Sequence, residues 1–212
     1  MSQPFRPAHR WTVFIRSCAL LLCGALANAA VAADAPAPTA VVEKLHGTLL
    51  TMMKDAATLG YEGRVNMVAP VLDGTFDFET IGRVVTGRYW KDFIADTRDR
   101  FVATFARLSA ATYADNFDGY AGETFETLSE EVKKGAALVK TRIVKRDGKP
   151  VSLNYVLNQR DGEWRIVNVI ADGVSDLALK RSEYGAVIAK EGIDALIAKL
   201  NAKIASYAAA KT

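Results

Sequence analysis

From Glu123 to Ala171 the chain alternates apolar and polar residues with a period of two, and Asp-Gly dipeptides cut the alternation into pieces. The clearest piece is Val151 to Asn158, where Val151, Leu153, Tyr155 and Leu157 alternate with Ser152, Asn154 and Asn158. Successive side chains of a strand point to opposite faces, so this pattern gives a sheet with one greasy and one wet side. Asp147-Gly148 and Asp161-Gly162 supply the left-handed backbone that tight hairpins need, so neighbouring runs pair antiparallel. The pattern predicts four strands in a meander: Glu123–Glu130, Ala136–Lys145, Val151–Asn158 and Trp164–Ala171. Such a sheet is stable only when another layer covers its apolar face.

The flanking segments supply that layer. Thr39 or a neighbour caps a first helix, with Val42, Leu45, Leu49 and Met52 at helical spacing and Gly60 at its end. A second helix runs from about Tyr61 to Leu72 and breaks at Asp73-Gly74. Asp77 caps a third, with Ile81, Val84 and Val85 on one face, ending at Gly87. Asp96 or Thr97 caps a long fourth, with Phe101, Phe105, Leu108 and Thr112 on one stripe. After the strands, Asp176–Ala189 reads as a helix, Gly192 interrupts, and Ile193, Leu196, Ile197 and Leu200 drive the last. Helices, then a meander, then helices is an α+β order rather than βαβ alternation. A curved antiparallel meander of four strands, wrapped by N- and C-terminal helices, can enclose an apolar cavity.

The N-terminus carries an export pattern. Arg6, Arg10 and Arg16 precede an apolar run from Cys18 to Ala27, which ends in small residues; Ala30-Val31-Ala32 fits a cleavage site. Cleavage is expected after Ala32, with Ala29 as the fallback. Cys23 follows Leu22, not the small residue that a lipidation signal requires. The expected organisation is a signal peptide over 1–32, a flexible start over 33–40, one domain over 41–205 and a tail over 206–212. Both cysteines lie in the leader, so a processed chain has neither disulfides nor thiol chemistry. Without the three leader arginines the 27 basic residues fall to 24, equal to the 24 acidic ones. That balance speaks against nucleic acid as a partner.

Residues for catalysis are sparse. His9 leaves with the leader and His46 remains, which removes histidine-dependent triads and two-histidine metal sites. The carboxylate pairs Asp77 with Glu79 and Glu130 with Glu131 read as solvated surface. No Gly-x-Ser-x-Gly elbow and no glycine-rich phosphate cradle occurs, so no cofactor is implied. What the chain offers is apolar bulk, with aromatics gathered between Phe76 and Phe117.

Two stretches carry a resemblance. One is Phe76-Asp77-Phe78-Glu79-Thr80-Ile81-Gly82-Arg83-Val84-Val85-Thr86-Gly87-Arg88-Tyr89-Trp90. The other joins Val139–Val144, Lys149–Leu157 and Trp164–Val169, followed by Gly173-Val174-Ser175 and Arg181-Ser182-Glu183-Tyr184. Over about Val41 to Lys203 the chain resembles the MlaC-type toluene-tolerance family of periplasmic lipid-binding proteins. Tyr113–Glu126 and Arg181–Tyr184 look like the hopanoid-associated HpnM branch. Asn168 departs from the pattern, where an aspartate is expected. The resemblance implies an NTF2-like curved sheet and a cavity for acyl chains or a polycyclic lipid. It also implies a shuttle between an inner-membrane ABC transporter complex and outer-membrane partners.

Water-exposed methylenes cost roughly 0.8 kcal/mol each, so a lipid with ~30 of them needs on the order of 24 kcal/mol of shielding to cross an aqueous space. The expected lining, chosen by strand alternation and helical faces, is Val139, Leu153, Tyr155, Leu157, Trp164 and Ile166 with Ile81, Val85, Phe101, Phe105, Leu108 and Leu177. Arg83, Arg88, Lys91 and Arg181 are the candidates for a head group or a docking partner. The expected function is a non-enzymatic periplasmic carrier of hopanoid or phospholipid. The competing readings are a non-catalytic adaptor of an envelope complex and an enzyme of hopanoid biosynthesis.

Overall fold

A computed structural model describes residues 36–210. The expected signal peptide over 1–32 lies outside the described residues. Within them are six α-helices and one five-stranded antiparallel sheet, ordered β1-β2-β3-β4-β5.

Helix α1 spans Pro38–Lys54. It starts at Pro38 because proline's fixed φ suits the first helical turn, so residues 38–40 are helical and not part of a flexible start. Helix α2, Ala56–Thr75, contains the expected Gly60 interruption as a kink, with Gly60 at φ 59° and ψ −174°. Asp73-Gly74 does not stop α2. The helix instead runs to Thr75, and Phe76 then extends to bridge Ile166, while the Asp77 N–H donates to the Ile166 carbonyl at 3.0 Å.

Helix α3, Phe78–Thr86, begins as expected at Asp77, whose carboxylate accepts from the Thr80 N–H at 2.9 Å. Arg160 reaches Asp77 at 3.1 Å and Glu79 at 2.8 Å, so this carboxylate pair is tied to the sheet. Burial works to raise the Asp77 carboxyl, but the Thr80 hydrogen bonds and Arg160 outweigh it and hold it below its ordinary value. A 3-10 turn over Gly87–Asp92 leads to α4, Ala95–Asn116.

The strands are β1 Thr124–Lys133, β2 Ala136–Val144, β3 Pro150–Arg160, β4 Glu163–Ala171 and β5 Val174–Ser175. The fifth strand corrects the four-stranded reading. Asp172 and Gly173 both take positive φ, 48° and 82°, and fold the chain back so that Ala171 pairs with Val174. One bulge interrupts β3 and β4: Val156 faces Asn168 and Leu157 faces Ile166, leaving Val167 as an extra residue. Helix α5, Asp176–Glu191, is capped by the Ser175 hydroxyl, which accepts from the Ala178 N–H at 3.2 Å. Helix α6 covers Ile193–Ala209, so the expected tail from residue 206 is helical as far as Ala209.

The core lies between the helices and the inner sheet face. Val42, Leu45 and Leu49 from α1, Val85 from α3, Phe101 from α4 and Val139, Leu157 and Ile166 from the sheet have no exposed surface. Each such side chain contributes about 1.5–3 kcal/mol through burial.

Candidate functional site

A pocket of about 290 Å³ lies where the inner face of β3 and β4 meets α3, α4 and α5. Of the expected lining residues, Ile81, Phe105, Leu108, Leu153, Tyr155 and Leu177 come together there. Val85, Phe101, Val139, Leu157 and Ile166 do not line it; they are fully buried in the core beside it. Trp164 packs half-buried against that core.

The bulge explains part of this division. Beyond Val167 the alternation of β4 is shifted by one, so Val167, Val169 opposite Tyr155 and Ala171 opposite Leu153 reach the pocket together with Asn168, where unbroken alternation from Trp164 would place Asn168 and Ile170. Nothing in the composition of β4 marks the extra residue.

An aromatic wall went unassigned from sequence. Phe76 stacks on Phe78 with centroids 5.6 Å apart, Tyr113 stacks on Phe117 at 5.8 Å, and Phe76 meets Tyr113 edge-on at 6.3 Å. All four line the pocket. The gathering of aromatics between Phe76 and Phe117 was the available signal.

Behind Tyr155 sits His46. Its Nε2 is 3.0 Å from the Tyr155 hydroxyl, and its ring stacks on Phe125 at 4.2 Å. With 4 % of its surface exposed, His46 belongs to the core side of α1, and burial lowers its pKa to about 4. Burial also raises the Tyr155 phenol far above its ordinary value. The two rings form a neutral hydrogen-bonded pair, which satisfies the buried Tyr155 hydroxyl.

Polar side chains line the pocket where α4, the end of β4 and the start of α5 meet: Ser109, Thr112, Asn116, Asn168, Asp176 and Lys180. Lys180 Nζ donates to Asp176 Oδ1 at 2.6 Å. Asn168 Oδ1 accepts from the Ser175 hydroxyl and the Leu177 N–H, both at 3.2 Å. An amide here keeps the acceptor that an aspartate would supply, without its charge. Burial, reinforced by the Asp176 charge, raises the Tyr113 phenol, so Tyr113 stays protonated.

Arg83, Arg88, Lys91 and Arg181 are exposed and none lines this pocket. The Arg88 guanidinium donates to the Tyr89 hydroxyl at 3.0 Å, and Arg181 lies over Gly87.

A larger groove of about 1280 Å³ runs along α4 between α2 and α6. Its lining mixes apolar side chains, such as Val65, Ala69, Ala106, Ile197 and Ile204, with the charged Glu62, Arg98, Arg100 and Arg107. The groove is the more open of the two, and the smaller pocket lies between the sheet and the helices, so the smaller pocket is the better candidate for enclosing an apolar molecule.

Helices laid on one face of an antiparallel meander, with an aromatic-walled pocket between the layers, define an α+β protein. The chain belongs to the MlaC protein family, whose match spans residues 43–202. It is 28% identical over 129 residues to the intermembrane phospholipid transport system binding protein MlaC of Haemophilus influenzae, which is 58% of this chain and 60% of that relative. That match covers less than two thirds of the relative's length. The structure is similar to a phospholipid-binding protein from Ralstonia solanacearum, solved in complex with a phospholipid, with a TM-score of 0.73. The likeness covers 82% of this chain and 99% of that one at 18% identity, and at that identity it shows the fold.

Proposed function

We propose that this protein is a non-catalytic periplasmic carrier that holds the apolar part of a membrane lipid between the sheet and helices α3 to α5. The observation that carries the proposal is the pocket lined by Phe76, Phe78, Phe105, Leu108, Leu153 and Tyr155 in a chain of the MlaC family. The phospholipid named for the Haemophilus influenzae relative and bound in the Ralstonia solanacearum structure supports a lipid as the cargo. The arginine-rich leader with its Ala30-Val31-Ala32 site supports export and cleavage after Ala32. Tyr113–Glu126 supports membership of the hopanoid-associated branch and hence a hopanoid or phospholipid cargo. In this reading the sheet is of the NTF2-like kind, and the carrier receives or delivers lipid at an inner-membrane ABC transporter complex and at outer-membrane partners. Exposed Arg83, Arg88, Lys91 and Arg181 are available for that docking.

The pocket is at the small end of those that enclose drug-sized ligands, which hold roughly 300–1,000 Å³. A two-chain lipid therefore requires α4 and α5 to part from the sheet on loading. The test is to purify the protein without detergent, extract it and weigh what it releases. Lipid at close to one per protein supports the carrier, and a lipid-free protein that takes up none from vesicles refutes it.

A further inference from the structure

We infer that the pocket rim contains a head-group subsite, formed by the Lys180–Asp176 pair and the Asn168 amide, that selects a zwitterionic phospholipid head. The inference rests on the carrier reading and adds to it which chemistry the carrier recognises.

Lys180 and Asp176 both line the pocket and meet at 2.6 Å. The Lys180 side chain is 27% exposed and that of Asp176 55%, so the lysine stem lies against the pocket while the carboxylate stands at its edge. Two backbone donors at the start of α5 are already in use: the Leu177 N–H goes to Asn168 and the Ala178 N–H to Ser175. What the rim offers a ligand is therefore the side-chain pair itself. Asn168 also lines the pocket with its Oδ1 taken by the Ser175 hydroxyl and the Leu177 N–H, and its Nδ2 is a further donor on the rim.

This rim holds one cation and one anion side by side. A phosphate oxygen can accept from Lys180 Nζ and Asn168 Nδ2, while a head-group ammonium donates to Asp176. A head with a phosphate but no amine would leave the carboxylate facing negative charge, and a neutral head would leave both ions without new partners. The exposed arginines outside the pocket would make the opposite choice, since cations alone favour an anionic head.

The test offers vesicles containing equal amounts of phosphatidylethanolamine, phosphatidylglycerol and diacylglycerol with identical acyl chains, and reads the bound lipid by native mass spectrometry. The unmodified protein is expected to enrich phosphatidylethanolamine roughly tenfold, the weight of one partly exposed charge-assisted hydrogen bond. Asp176→Asn is expected to shift the preference to phosphatidylglycerol. Lys180→Gln is expected to lose the preference for either phospholipid over diacylglycerol. Both variants change an exposed pair that contributes little to stability, and their melting curves confirm that they fold. Unmodified protein that carries lipid without head-group bias, or variants that keep the unmodified distribution, overturn the subsite and leave the carrier standing. A shift seen only in Arg83→Gln or Arg88→Gln also overturns it, by moving the head group to the outer face. Protein that takes up no lipid of any kind overturns both.

Discussion

Acid should weaken this fold through one buried side chain in particular, His46. His46 is ordinarily half-protonated near pH 6.5, but in the folded protein its pKa is about 4, because the buried ring between Tyr155 and Phe125 cannot be hydrated once charged. Above pH 6.5 the ring is neutral in both folded and unfolded chains and its titration costs nothing. Between pH 6.5 and 4 the unfolded chain takes up a proton that the folded chain refuses, so stability falls as pH falls. With these values the loss is about 2 kcal/mol at pH 5 and approaches about 3 kcal/mol below pH 4. Domains of this kind are stable by about 5–15 kcal/mol in total, so the effect is large enough to measure. His46→Gln removes the proton while keeping a partner for the Tyr155 hydroxyl. Urea unfolding of both proteins from pH 7.5 to pH 4.5 should show the natural chain losing about 2 kcal/mol more than the variant by pH 5. In thermal scans the difference corresponds to about 4–8 °C. Parallel decline of the two proteins across this range would refute the assignment of His46 as a buried neutral group.

Leu153→Arg, at a half-buried pocket wall, should leave a folded protein without extractable lipid, checked by circular dichroism and lipid mass analysis. Val85→Arg, at a position with no exposed surface, should prevent folding instead, since an unpaired buried charge costs several kcal/mol; limited proteolysis separates the two outcomes. Gly87→Ala should lower stability by roughly 1–3 kcal/mol, because Gly87 holds φ 57° and ψ −126° and an added Cβ would sit 3.5 Å from the Arg181 guanidinium; thermal denaturation reads this directly. Asp77→Ala should cost about 1–2 kcal/mol by removing the α3 cap, with an added loss from stranding Arg160, and chemical denaturation measures it.

The elements that the sequence announced are those with local causes. Asp77 caps α3, Gly60 breaks the helical backbone, and Asp161-Gly162 turns β3 into β4, each through geometry set within a few residues. Asp172-Gly173 carried the same turn signal, but the strand it begins has two residues and therefore no alternation to read. The site was legible only in part, because facing the pocket and facing the core look alike in one dimension. Leu153 and Leu157 share a strand face, yet Leu153 lines the hollow and Leu157 is sealed in the core. The difference comes from which helix lies above each residue, and no spacing along β3 encodes that. Arg83, Arg88 and Lys91 are clustered in sequence and so are visible there, whereas the charged pair on the rim, Asp176 with Lys180, is an ordinary-looking helix pair until α5 is placed beside β4.

Val167 makes strand length a design variable. Because the supernumerary residue sits between two correctly paired halves, removing it would leave Ile166 opposite Leu157 and Asn168 opposite Val156. Relatives one residue shorter at this point would keep every ladder bond on either side and lose the local twist the bulge adds. The depth of the pocket could then diverge between proteins by a single codon gained or lost, with Val167 the one wall residue removed.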